Sequence, residues 1–179
     1  MLYPKRVPIV IPRDVRRRLI ALAKQIQKRK ELERSYDKAV DRRREGWELH
    51  YQGLCAEWIG CLQLRITFKR IVHSGGDGGI DGWWCGATLD FKSIPIPNRA
   101  VLFPKRNVSA DILVGVECEE PYVFEAGQIA GMISSRKAAI VVVAAKTLNP
   151  KWWNWAIEQR HLVDYEEAQR ILEERRLAC

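Results

Sequence analysis

The chain has few residues of the types that staple or anchor small proteins. Of 179 residues only two are methionine, three are histidine and five are cysteine (Cys55, Cys61, Cys85, Cys118 and Cys179). No two cysteines form a C-x-x-C pair, so neither a zinc knuckle nor a disulfide framework is expected, and a reducing compartment is. No apolar run approaches the roughly 20 residues of a membrane span; a long one, from Ala138 to Ala145, falls far short. The basic N-terminus leads into no apolar h-region, which excludes a secretory signal. The expectation is a soluble cytoplasmic protein with no membrane partner.

Nucleotide and calcium motifs are missing too. There is no Gly-Lys-Ser/Thr of a phosphate loop, no G-x-G-x-x-G between a strand and a helix, and Thr88 stands where an EF-hand loop starting at Asp77 needs glutamate. A tandem G-G-x-G-x-D repeat is excluded by Ile80 and by the motif's occurring once. No small-molecule cofactor is expected.

What the chain does have is positive charge at one end. Residues 1–46 carry 15 Lys+Arg against 6 Asp+Glu, while residues 47–179 carry 15 against 16, so the whole net charge of +8 originates in the first quarter. Such a block fits a polyanion, nucleic acid being the usual one. Arg16, Arg17, Arg18, Lys24, Lys28, Arg29, Lys30, Arg42, Arg43 and Arg44 are the candidate nucleic-acid contacts. Apolar residues interrupt them at helical spacing (Val15, Leu19, Leu22, Ile26), with Asp14 as the expected helix cap. A second helical pattern through Tyr36, Val40, Trp47, Tyr51, Leu54, Trp58 and Leu62 predicts a helix between about 31 and 64, bent at Gly46 or Gly53.

From Ile66 the period shortens to two, predicting strands at 66–72, 80–85, 88–94, 111–117 and 121–125. Residues 164–176 close the chain as a helix with Asp164 as its cap and an Ala168, Ile171, Leu172 stripe. Asp111 is expected at a strand end, and the Trp152, Trp153, Trp155 cluster is expected to anchor a helix. Helices, a strand meander and further helices give an α/β or α+β fold around one mixed sheet. The charge boundary divides it into a basic helical extension (1–45) and a core (46–179).

The glycine-rich stretch GGDGGIDGWWCGATLDFKS, residues 75–93, carries the chemistry. A two-residue turn at Gly86-Ala87 would place Asp81 opposite Lys92 and Trp83 opposite Asp90. Opposed residues share a face, so any loop of even length brings Asp81, Asp90 and Lys92 to one side and sends Leu89 and Phe91 to the other. Two carboxylates side by side resist ionising together unless a cation lies between them. Oxygen ligands of this kind suit Mg²⁺ or Mn²⁺, and the lysine can then stabilise developing charge or orient a water. Glu57, in GLCAEWIGCLQL, is the natural third acid: Gly53 and Gly60 on its helix are small enough for close approach to a sheet. Ser93 is a possible accessory group for phosphate.

An acid on a helix, then Gly79-Ile80-Asp81, then Asp90-Phe91-Lys92, resembles the PD-(D/E)XK nuclease superfamily, whose fold is restriction-endonuclease-like. Members include archaeal Holliday junction resolvases and small phage and viral nucleases. The resemblance covers roughly residues 46–125; Ile80 replaces the proline of some members, and the second acid is Asp. It implies a mixed sheet flanked by helices, Mg²⁺ held by Asp81, Asp90 and Glu57, and Lys92 assisting the attacking water. The expected activity is Mg²⁺-dependent hydrolysis of DNA, resolvase-like in substrate, with Mn²⁺ able to substitute. A homodimer would make paired cuts, in the host cytoplasm if the chain is virus-encoded. The alternative is a non-catalytic nucleic-acid-binding or assembly protein on the same fold.

Overall fold

The computed structural model describes residues 9–33, 45–68, 79–95, 100–104, 109–118, 126–134, 154–158, 162 and 163, together with the helical residues 167, 168, 170, 171 and 174. In chain order the elements are β1 (Ile9–Val10), α1 (Arg13–Leu32), α2 (Gly46–Gln63), β2 (Gly82–Trp84), β3 (Ala87–Pro95), β4 (Ala100–Pro104), β5 (Ile112–Cys118), β6 (Ala126–Ser134) and β7 (Asn154–Glu158). Five strands form one sheet in the order β1-β6-β5-β3-β2, and β4 pairs with β7 separately. Within the large sheet β3 and β5 are parallel while the other neighbours are antiparallel. The sheet is mixed, as expected, and the class is α+β.

Packing explains why β3 and β5 occupy the centre. Ile112, Leu113, Val114 and Val116 are all buried, so β5 is covered on both faces, which is the situation that selects an unbroken apolar run over an alternating one. On β3, Leu89 and Phe91 turn toward α2, and the two elements approach so closely that a Cβ added to Gly60 would stand 2.2 Å from Phe91 Cε1. Gly60 supplies the close approach expected of it. Gly53 does not, since a Cβ there meets nothing within 4 Å.

α1 packs on α2 through the predicted stripe. Leu19 and Ala23 are buried, and Val15, Leu22 and Ile26 are half-buried against the same core. Ile11 is fully buried and β1 pairs with β6. The described part of residues 1–45 is therefore fastened into the domain, although its charge differs from the rest.

Several local expectations are corrected. Asp14 does not cap α1: Pro12, with an extended backbone, holds the N-cap position, and Asp14 in the first turn accepts a bond from Arg18 at 2.5 Å. That arrangement suits both the helix dipole and the i,i+4 spacing. Helix α2 starts at Gly46 with no bend there, because Glu45 and Glu48 form a reciprocal capping box. Leu62 is half-exposed. Residues 66–68 are not strand; 69–72, 121–125, Tyr36, Val40, Trp152, Trp153, Asp164 and Leu172 lie outside the described residues. Residues 154–158 form a strand, so Trp155 belongs to a sheet rather than a helix. At the C-terminal end the described residues of the expected helix are helical, and Ala168 is buried.

Candidate functional site

The β2–β3 hairpin turns at Cys85-Gly86, with Trp84 opposite Ala87 and Gly82 opposite Leu89. Both turn residues have positive φ, 49° and 81°, as a type I′ connection requires. The expected Gly86-Ala87 turn would have forced Ala87 into that region, which a Cβ disfavours. The observed register differs from the expected one by two residues. An even difference leaves the parity of the β2 side unchanged; Asp90 and Lys92, two apart on β3, project from the face opposite Phe91, which meets α2.

Those two side chains meet. Lys92 Nζ donates to Asp90 Oδ1 at 2.5 Å. Asp90 is only 6% exposed, its neighbour in the parallel ladder is the buried Leu113, and Lys92 lies beside Gly115, which has no side chain. A carboxylate taken so far from water requires a counter-charge. The structure therefore builds a cation position directly against Asp90.

Asp81 reaches the neighbouring amide of Phe91 instead. It lies just beyond the end of β2, where its N–H donates to Leu89 O at 2.8 Å, one residue out of step with the Gly82–Leu89 pairing. Its Oδ2 accepts from the Phe91 N–H at 2.8 Å. With β2 ended, the amide of Phe91 would lack a strand partner on that edge, and the Asp81 carboxylate supplies one. The amide is the one that joins Asp90 to Phe91, so the two acids flank a single peptide bond. A carboxylate has two oxygens and about four acceptor positions, so this bond leaves Asp81 able to do more.

Glu57 is buried on α2 at 8% exposure. Helix α2 covers the opposite side of β3 from Asp90: Gly60 meets Phe91, and Gln52 Nε2 donates to Ser93 Oγ at 2.9 Å. Glu57 and Asp81 are both close enough to Cys61 that their charges, after burial itself, push its thiol up to about 12. Among the described residues no group of three His, Cys, Asp or Glu side chains is gathered tightly enough to hold a metal. Asp90 and Lys92 are brought together, and Asp81 bonds to the amide that follows Asp90; Glu57 and Asp81 both lie near Cys61 of α2. Ser93, tied to Gln52, faces α2 while Lys92 faces away.

Around this point the sheet is pinned by a latch between β3 and the start of β5. Thr88 N and Oγ1 donate to Asp111 Oδ2 at 2.9 and 2.7 Å, and the Asp111 N–H donates back to Thr88 Oγ1 at 2.8 Å. Asp111 thus has the strand-end role expected of it, and the bonds from Thr88 hold its carboxyl below the ordinary range. Sequence reasoning gave no role to Gln52 or Thr88. Gln52, an amide among small and apolar residues of α2, was the one signal available.

The basic candidates divide by their partners. Arg18 is paired with Asp14 and Arg29 with Glu33, Lys24 lies 5.0 Å from the centre of the Trp47 ring, and Arg16 and Lys30 are half-buried. Arg13, Arg17 and Lys28 are exposed and make no ion pair among the described residues. At 100° per residue Arg13, Arg17, Lys24 and Lys28 fall on one stripe of α1. Arg42, Arg43 and Arg44 lie outside the described residues. No helix is long and apolar enough to cross a membrane among the described residues. No protein-family model matches the chain, and no curated protein or solved structure matches it either.

Proposed function

We propose that the protein is a divalent-metal-dependent nuclease that hydrolyses DNA phosphodiester bonds, with Asp81, Asp90 and Lys92 as its catalytic group. The observation that carries this reading is that Lys92 pairs with Asp90 while the Asp81 carboxylate bonds to the amide that follows Asp90. Oxygen donors of this type fit Mg²⁺, which keeps its waters and asks the protein for one or two carboxylates. Asp81 and Asp90 would hold the ion, and Glu57 would support it from the helix side. Bound there, the cation supplies positive charge to phosphate oxygens. Lys92 has two tasks: it neutralises Asp90 in the folded protein, and it offers its ammonium to charge developing on the phosphate when substrate is present. A homodimer would suit paired cuts in a duplex or a four-way junction.

The exposed stripe of α1 supports nucleic acid as the substrate, because Arg13, Arg17 and Lys28 present charge that no described acid offsets. A second reading, a non-catalytic nucleic-acid-binding protein, is favoured by the Asp81–Phe91 bond, which gives the acid a structural task. Incubation with plasmid, single-stranded DNA and a four-way junction, in Mg²⁺, Mn²⁺ or EDTA, separates the two. Cleavage that requires metal and disappears in Asp81→Ala and Lys92→Ala is expected; unchanged cleavage in either variant sinks the assignment. Replacing Arg13, Arg17 and Lys28 with alanine should lower the salt slope of duplex binding by about 0.9 for each phosphate that is no longer neutralised. This design spares Ile11, Leu19 and Ala23, which a deletion would remove from the core.

A further inference from the structure

The two adjacent tryptophans of β2 have opposite fates. Trp84 is 8% exposed and belongs to the core; Trp83 is 66% exposed. An indole costs free energy to leave in water, because it carries a large apolar area. At that exposure the ring adds little to the packing of the described hairpin.

Its position is defined by the register. Trp83 is opposite Thr88, and a Cβ on its neighbour Gly82 would meet Ile66 and Phe91 on the α2 side, so the indole projects from the other face. That face is the one from which Asp90 and Lys92 emerge, with Asp90 two residues along β3 from Thr88. Diagonal neighbours in an antiparallel pair are about 7–8 Å apart. Among the described residues β2 is also the edge strand of the sheet, so no described strand screens the ring.

The platform is held firmly. Trp84 anchors one side of the turn in the core, the Cys85-Gly86 turn fixes the register, and Thr88 is latched to Asp111. A ring fixed before binding loses little freedom on binding.

We infer that Trp83 is a base-stacking platform, and that the site takes nucleic acid with an unpaired base next to the bound phosphate, in preference to intact duplex. This rests on the reading of nucleic acid as substrate given above. In a closed duplex the bases are stacked on one another and the ring would meet only backbone. Where a base is unpaired, its face can lie on the indole while Lys92 takes the adjacent phosphate. Stacking of this kind discriminates little among the four bases, since each has a π face.

The test measures binding in EDTA, so that it does not depend on cleavage. A labelled oligothymidylate of about 16 nucleotides and a fully paired duplex hairpin are titrated against wild type, Trp83→Ala, Trp83→Phe and Lys92→Ala. Trp83→Ala is expected to weaken oligothymidylate binding roughly tenfold to a hundredfold and to leave duplex binding unchanged, with Trp83→Phe retaining most of the affinity. Because the ring is exposed, thermal melting should show both Trp83 variants folded. Wild-type affinity for oligothymidylate in Trp83→Ala overturns the proposal, as does an equal loss on both ligands. Altered sedimentation of the DNA-free Trp83→Ala protein with unchanged oligothymidylate binding also overturns it, because the ring would then cover a second copy of the chain. Failure of hydrolysis leaves this measurement standing, and failure of the ring test leaves the Asp81 and Lys92 cleavage assays standing.

Discussion

Gly60 and the ring of Phe91 are in direct contact across the α2–β3 interface, with no room for a β-carbon between them. Gly60→Ala gains about 1 kcal/mol of helix propensity but forces a buried aromatic ring or the helix to move. Overpacking of this kind costs roughly 1–3 kcal/mol. The variant should melt several degrees lower than wild type by calorimetry; an equal or higher melting temperature would show that the helix can retreat freely. Since Phe91 separates Asp90 from Lys92 in sequence, the same variant should lose activity beyond its loss of stability, measured well below its melting point.

The Asp90–Lys92 pair predicts a coupling energy. Lys92→Met leaves a buried carboxylate without its ammonium, and Asp90→Asn leaves the ammonium without its counter-charge. Breaking a buried pair costs about 3–5 kcal/mol; with the Lys92 side chain a quarter exposed, roughly 1–3 is expected for either single change. The double variant should recover a large part of it. Denaturant unfolding of the four proteins gives the cycle, and additive losses would mean that the two groups do not interact in solution.

The Thr88–Asp111 latch sets an acid-side limit. The folded Asp111 carboxyl lies below its unfolded value of 3.8. Its contribution is therefore complete above the unfolded value and is lost as pH falls through the lower folded one. Asp111→Asn should melt below wild type at neutral pH, and the two curves should converge in acid. A difference that persists at low pH would mean that the carboxylate's charge is not what matters.

Two thiols predict the alkaline side. Burial, as the largest cause, pushes Cys55 and Cys61 up to about 12 from a usual 9.0. The folded protein keeps their protons while the unfolded chain releases them, so stability is full below pH 9 and declines as pH rises toward 12. Under native conditions near neutral pH, alkylation mapped by mass spectrometry should spare both and modify the half-exposed Cys85. Rapid labelling of Cys61 would indicate that α2 opens locally.

The parts of the fold that sequence made legible share a cause: each depended on a short-range rule. Alternation along residues 87–95 puts Asp90 and Lys92 on one face whatever the turn; only the side taken by Asp81 depends on an even loop. The small residue at 60 marked the close approach, and the Val15, Leu19, Leu22, Ile26 stripe marked the buried side of α1. What escaped depended on distant partners. β6 carries Gly127 and Gly131, which interrupt its apolar pattern, and its register with β5 shifts between Gly115 and Val116. β7 contains a tryptophan that suits a helix equally well. The bond from Gln52 to Ser93 and the latch from Thr88 to Asp111 join residues that no local pattern relates. Glu57 was found by its apolar surroundings, yet its side of the sheet could be known only once α2 was docked.

The two residues of β1 pair with Gly127 and Ala126, close to the far end of the sheet in sequence. During synthesis the strand that receives them is made long after α1, so the most basic part of the chain waits without its final attachment. Contacts of such wide sequence separation form slowly, because loop closure precedes any gain from them. In the interval Ile11, fully buried in the finished domain, remains uncovered beside a row of arginines and lysines, a combination that attracts polyanions and chaperones alike. The basic segment, made well before the strand it joins, is in this sense the last to be committed.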